Sequence, residues 1–113
     1  MFKVAIIGGE QTGDYLKFKK TCKTCLKKKA EEGAIMIYTI GDRYVEAFAE
    51  RYGIYIHTFP ANFDIYGTMA LKLRAQSLLR DCDGVIIFDN GTKDSDIIKK
   101  MATEKGLPIR IIK

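Results

Sequence analysis

Tryptophan is absent from this 113-residue sequence, histidine occurs once, proline twice and cysteine three times. A single histidine, His57, cannot complete a zinc site with one Cys-x-x-Cys pair, and no Ser-His-Asp or Cys-His arrangement can be argued from spacing. His57 falls inside a strand-like run and is read as a packed or edge residue rather than a base. An odd number of cysteines argues against a disulfide framework and fits a reducing compartment. No apolar run approaches the roughly 20 residues of a membrane helix, so no membrane partner is expected. The chain enters a strand pattern at once, with no signal-peptide pattern ahead of it, and a cytoplasmic location is the expectation. There is no linker, internal repeat or low-complexity tract. With 47% hydrophobic and 29% charged residues, composition is that of an ordinary soluble protein, and the length suits one domain, residues 1–113, with a real core.

What the chain does have is a net charge of +5, unevenly placed. Residues 14–32 carry Lys17, Lys19, Lys20, Lys23, Lys27, Lys28 and Lys29 against Asp14, Glu31 and Glu32, so the basic character belongs to one segment.

The stretch Lys3-Val4-Ala5-Ile6-Ile7-Gly8-Gly9-Glu10-Gln11-Thr12-Gly13-Asp14 organises the rest. An apolar run without alternation, ended by glycine, suits a strand buried on both faces at the centre of a parallel sheet. Its turn then faces the crevice where open α/β sheets bind ligands. Gly8 and Gly9 would let backbone approach a ligand, and Asp14 can cap the following helix. The spacing is not that of a dinucleotide fingerprint.

Strand patterns at about 3–7, 34–40, 54–59, 84–88 and 107–112 alternate with helical patterns at about 14–32, 43–52, 68–80 and 93–105, and a longer connection spans 60–67. Strict alternation with short turns predicts an α/β, Rossmann-like three-layer sandwich around a five-stranded parallel sheet. In the first helix Tyr15, Phe18, Cys22, Cys25, Leu26 and Ala30 share one face, so Cys22 and Cys25 read as core thiols rather than as a redox or metal pair, which belongs at a helix N-terminus. Met69, Ala70, Leu71, Leu73, Leu78 and Leu79 exceed one core stripe on the third helix, and the excess is read as an interface between copies of the chain.

Several of these segments carry a resemblance: Val4-Ala5-Ile6-Ile7-Gly8-Gly9; Asp42 with Ala49-Glu50-Arg51-Tyr52-Gly53-Ile54; Phe59-Pro60-Ala61-Asn62-Phe63-Asp64-Ile65-Tyr66-Gly67; Arg74; Cys82-Asp83-Gly84-Val85-Ile86-Ile87-Phe88-Asp89 with Gly91; and Gly106-Leu107-Pro108-Ile109. Together they resemble the SLOG superfamily of Rossmann-like nucleotide-binding proteins, in particular its small YspA-like branch. The resemblance implies a nucleotide or nucleotide-derived ligand at the strand C-termini and a homodimer or higher homo-oligomer. The Pro-Gly-Gly-x-Gly-Thr motif and catalytic glutamate of the related LOG enzymes are missing, Glu10 stands where the family usually places arginine or another polar residue, and Ala75 stands where an asparagine usually follows Arg74. Binding rather than turnover is therefore expected, and no catalytic residue is assigned.

The turns after the first four strands should converge on one edge, bringing Glu10, Asp14, Asp42, Asp64, Asp89, Asp94 and Asp96 near few cations: Arg43, Lys93 and, from the third helix, Arg74. Asp14, Asp94 and Asp96 are read as caps or first-turn residues. Asp42 and Asp89, directly at strand ends, are read as ligand contacts, and Arg74 as a bidentate partner for phosphate or carboxylate. The expected ligand-binding set is Gly8, Gly9, Glu10, Thr12, Gly41, Asp42, Arg74, Asp89, Gly91, Thr92 and Ser95. No metal site is expected, and Mg2+ only in company with a nucleotide. The acidic edge favours ribose hydroxyls or positive charge over bare polyphosphate. Two alternatives remain: a hydrolase of N-glycosidic or phosphate bonds, with Asp42 or Asp89 against a ribose C1′, and a nucleic-acid-binding protein using the lysine helix 14–32. The lysine face lacks an interleaved aromatic, so nucleic acid is the less favoured partner.

Overall fold

The computed structural model describes residues 1–89 and 91–112. Among them, five strands form one sheet in the order β3-β2-β1-β4-β5: β1 (Phe2–Ile7), β2 (Ile35–Thr39), β3 (Tyr55–Thr58), β4 (Gly84–Phe88) and β5 (Ile109–Ile112). Every pairing is parallel, with Val4 opposite both Ile37 and Gly84. Asn90, within the fourth turn, lies outside the described residues.

The helices between them are α1 (Tyr15–Glu32), α2 (Arg43–Arg51), a single turn α3 (Phe63–Tyr66), α4 (Ala70–Leu79) and α5 (Lys93–Glu104). Side chains of a strand alternate between faces, and here both faces are apolar. Val4, Ile6, Ile37, Ile86 and Phe88 pack under Phe18, Cys22 and Leu26 of α1 and Val45, Phe48 and Ala49 of α2. Ala5, Ile7, Tyr38, Val85 and Ile87 pack under Ala75, Leu78 and Leu79 of α4 and Ile98 and Ala102 of α5. The sandwich has three layers, as the alternation of patterns predicts. The chain changes face after β3, so the turns leaving β1 and β4 diverge between neighbouring strands, the position where open α/β sheets have their ligand crevice.

Two local expectations differ from the structure. The connection 60–67 contains α3, capped by Asn62, whose side chain accepts from Ile65 N at 3.1 Å. The third-helix excess is largely absorbed by the core: Ala70, Leu78 and Leu79 are buried, Leu71 and Leu73 half-buried, and Met69 alone of the six is exposed. Several exposed apolar side chains cluster instead on Tyr55 and Ile56 of edge strand β3 and on Phe63, Ile65 and Tyr66 of α3, while Met1, Leu16, Tyr52 and Ile111 are exposed elsewhere.

Candidate functional site

At the C-terminal edge of the sheet, two crevices meet at the tip of β1, with Gly8 and Gln11 lining both. One, of about 230 Å3, is walled by Glu10, Gly41 and Asp42 on one side and by Arg74, Thr92, Asp94 and Ser95 on the other, over Ile7 and Ile40. The second, of about 410 Å3, opens toward α1 between Thr12, Lys17 and Thr21 and the end of β4 at Phe88 and Asp89, with Ile112 at its base. Of the eleven residues expected from sequence, nine line one crevice or the other.

Gly9 and Gly91 are the two that do not. Gly9 is buried, and a Cβ there would sit 2.5 Å from Phe18 Cε1. Phe18 is itself fixed among Tyr44, Phe48 and Phe88, so the glycine makes room for a core ring rather than for a ligand. Gly8, by contrast, has φ 80°, the left-handed conformation that ends β1 and starts the turn at Gly9–Thr12. Gly91 donates its N–H to Asp89 Oδ1 at 3.3 Å, a local turn contact.

The carboxylates at this edge have partners. Asp42 is only 5% exposed. It caps α2, accepting from Tyr44 N at 2.9 Å and Val45 N at 3.3 Å, and both its oxygens receive Glu10 N, at 3.2 and 3.1 Å. Sequence places Asp42 at a strand end and suggests a ligand contact; the geometry makes it the clamp between the β1 turn and α2. Glu10 binds Arg43, and the hydrogen bond from that guanidinium holds its carboxyl below the ordinary glutamate range. Asp89 pairs with Lys99 Nζ at 3.1 Å, a long side chain reaching back from the second turn of α5. Asp94 binds Arg74. Asp14 caps α1 through Lys17 N at 3.2 Å, as expected, and Thr12 braces it, its Oγ1 accepting from Asp14 N at 3.3 Å. Asp64 and Asp96 are exposed and line neither crevice. The edge is thus far less acidic in effect than its composition suggests.

Two further backbone donors of the first turn are likewise used internally. Gln11 N bonds Gly8 O at 3.2 Å and Gly13 N bonds Glu10 O at 3.1 Å. On the far wall, Thr92 caps α5, its Oγ1 accepting from Ser95 N and donating to Ser95 Oγ, both at 3.2 Å. Arg74 stands apart. Its side chain is 10% exposed, it lines the smaller crevice, and its Nε has no hydrogen-bond partner among the described residues. A buried guanidinium with one unmet donor is costly unless something completes it.

Gln11, Lys17, Thr21 and Lys99 are the residues that sequence does not single out. Lys17 is hidden in the lysine count of the first helix, although its place one turn beyond Asp14 is a usable signal. Nothing local marks Lys99. Among the described residues no three His, Cys, Asp or Glu side chains converge as a metal site, and no helix is long and apolar enough to cross a membrane. Cys22 and Cys82 are buried free thiols whose pKa burial pushes up to about 12, and Cys25 is a half-buried free thiol. A groove of about 660 Å3 lies elsewhere, between α1 and α2 at the opposite end of the strands. No protein-family model and no curated protein matches the chain.

Proposed function

We propose that the chain is a SLOG-like binding protein that takes a nucleotide or nucleotide-derived small molecule across the paired crevices at the tip of β1. The observation that carries this reading is Arg74: a nine-tenths buried guanidinium in the crevice wall, bound to Asp94 through one arm and with its Nε unmet. A phosphate or carboxylate is the anion that a guanidinium in such a wall binds through paired N–H groups. The α5 N-terminus beside it adds a favourable dipole. The larger crevice, with Gln11, Thr12, Lys17, Thr21 and Asp89, supplies the mixed donors and acceptors that suit a ribose and base. With the acids paired to Arg43, Lys99, Arg74 and backbone N–H groups, the edge tolerates an anion better than its composition suggests. Mg2+ belongs to this reading only where the ligand's own phosphates bring it, since the carboxylates are already engaged.

The same contacts favour binding over hydrolysis. Attack on a glycosidic or phosphate bond needs a carboxylate available to a water or to the reacting carbon. Asp42 is held by three backbone N–H groups and Asp89 by Lys99 and Gly91. Self-association is part of the proposal, through the exposed apolar side chains of β3 and α3, and the free thiols suit the cytoplasm.

Calorimetry against a panel of nucleoside mono- and diphosphates and dinucleotides tests the reading. One of them should bind, and Arg74→Gln should weaken it by about 1.5–3 kcal/mol, the range for a hydrogen bond to a charged group. Binding that is indifferent to Arg74→Gln removes the crevice from consideration.

A further inference from the structure

The groove at the other end of the sheet has a simple origin. Helix α1 has 18 residues and α2 only 9, so by the usual rise α1 runs to about 27 Å and α2 to roughly half that. The second half of α1 runs on past the end of α2, near Ile35 and Ile54 at the starts of β2 and β3, and among the described residues no other helix lines the gap. Ala30, on the face read as buried, is consequently exposed. The floor is apolar and recessed: Leu26 and Phe48 are 4% and 3% exposed, flanked by Ile35 and Ile54. Its volume of about 660 Å3 lies in the range of small-molecule sites.

Its rim is cationic. Lys19, Lys23 and Lys27 recur at every fourth residue and so form one stripe along α1. Lys23 and Lys27 line the groove, with Glu31 as the acid at its far end. Tyr52, at the end of α2, forms the opposite lip, and the Lys19 and Lys23 ammonium groups stand 5.9 and 5.5 Å from its ring centroid. The aromatic that the lysine face lacks in sequence is therefore supplied from another helix.

We propose that this groove binds a small anionic amphiphile, an apolar aliphatic or aromatic body with a carboxylate or phosphate head, the body on Leu26 and Phe48 and the head against Lys23 and Lys27. Charge complementarity and the recessed floor select this occupant. A bilayer would require a band of apolar groups protruding beyond the lysines; the floor of the groove lies below them, and the exposed Leu16 beside Lys19 and Lys20 is a single side chain. A nucleic-acid strand would require several exposed rings, and the groove offers only the lip of Tyr52. The proposal is independent of the crevices at the tip of β1.

Titration calorimetry with sodium decanoate, below its micelle-forming concentration, tests it on the full chain. Decanoate should bind saturably, and decyltrimethylammonium at least about tenfold more weakly, since the cationic head meets like charge. Lys23→Gln combined with Lys27→Gln should cost decanoate about tenfold while leaving decanol binding unchanged. Ala30→Trp and, separately, Thr24→Trp fill the groove from exposed positions on the α1 wall; either should eliminate decanoate binding, with an unchanged circular-dichroism melt verifying the fold. Decanoate binding that survives both blocking variants overturns the proposal, as does equal binding of the cationic amphiphile. Tighter binding of anionic phospholipid vesicles or of oligothymidylate than of decanoate would reassign the face to a membrane surface or to nucleic acid.

Discussion

Asp42 joins two elements that are distant in sequence, because one carboxylate holds both the Glu10 N–H and the first N–H groups of α2. Asp42→Ala removes the cap and leaves the β1 turn without its tether, so it should destabilise the fold by about 1–3 kcal/mol in urea denaturation. Asp42→Asn, which keeps an acceptor oxygen, should lose less than half of that. Equal stability of the alanine variant and the parent would show that the clamp is not needed. Glu10 gives a pH-dependent counterpart. The hydrogen bond from Arg43 depresses its folded-state pKa, so the contact stabilises at pH above the unfolded glutamate value and is lost as pH falls through the lower folded one. Carbon-detected NMR should show Glu10 titrating below an ordinary glutamate, and Arg43→Gln should return it to the ordinary range; both groups are near solvent, so the effect on global stability stays small. At this scale sequence could place Gly8, Asp42, Arg74 and Asp89 at one edge, because parallel strands bring their following turns together. It could not assign their partners. Whether Asp42 faces a ligand or a backbone N–H, and whether Lys99 folds back to Asp89, depends on side-chain directions that no spacing encodes. Gly9 is the sharpest case: its neighbour Gly8 serves the turn, while Gly9 serves Phe18, nine residues on.

Among the elements, the central strands were the legible ones. β1 and β4 are apolar at every position that both layers cover, and such runs between glycines have few other uses. β3 carries a similar run, Tyr55-Ile56-His57-Thr58, yet all four residues are exposed. It is an edge strand, paired among the described residues with β2 alone, and His57 stays exposed although it stacks on Phe59 at 4.4 Å and meets the buried Tyr38 edge-on at 5.8 Å. Periodicity reports what a strand can bury, not whether a helix lies over it. The helix α3 was illegible because four residues are too few for a period to show, although Asn62 is an N-cap residue type. The difference has a measurable consequence. Amide hydrogen exchange should be slowest in β1 and β4 and fastest, among the regular elements, in β3 and α3. Protection of β3 equal to that of β4 in a demonstrably monomeric sample would contradict the edge assignment.

For the whole molecule, the exposed apolar groups are densest around β3 and α3, with Met1, Leu16 and Tyr52 exposed singly elsewhere. Tyr55 and Ile56 on β3 and Phe63, Ile65, Tyr66 and Met69 on the following connection are all exposed, while the opposite edge strand β5 adds Ile111. An uncovered edge strand also presents unpaired backbone donors and acceptors, which proteins ordinarily blunt with charge, proline or a covering element. Here Pro60 follows the strand, but no charged residue lies within Tyr55–Thr58. Monomers seldom leave such a surface open, and a second copy of the same chain is the partner proposed for it. The SLOG resemblance leads to the same expectation, and the apolar count of the third helix to a different surface, one whose excess the core has largely taken up. The surfaces can be told apart. Sedimentation or light scattering at high micromolar concentration should give a dimer or larger species. Ile65→Lys with Tyr66→Lys, both exposed and outside the core, should shift it toward monomer without lowering the thermal midpoint, whereas Leu71→Lys, on half-buried α4, should chiefly destabilise the fold. A monomeric mass for the parent chain at that concentration would count against self-association. A dimer untouched by the Ile65 and Tyr66 changes would move the interface away from β3 and α3, and the exposed aromatic groups there would then need another explanation.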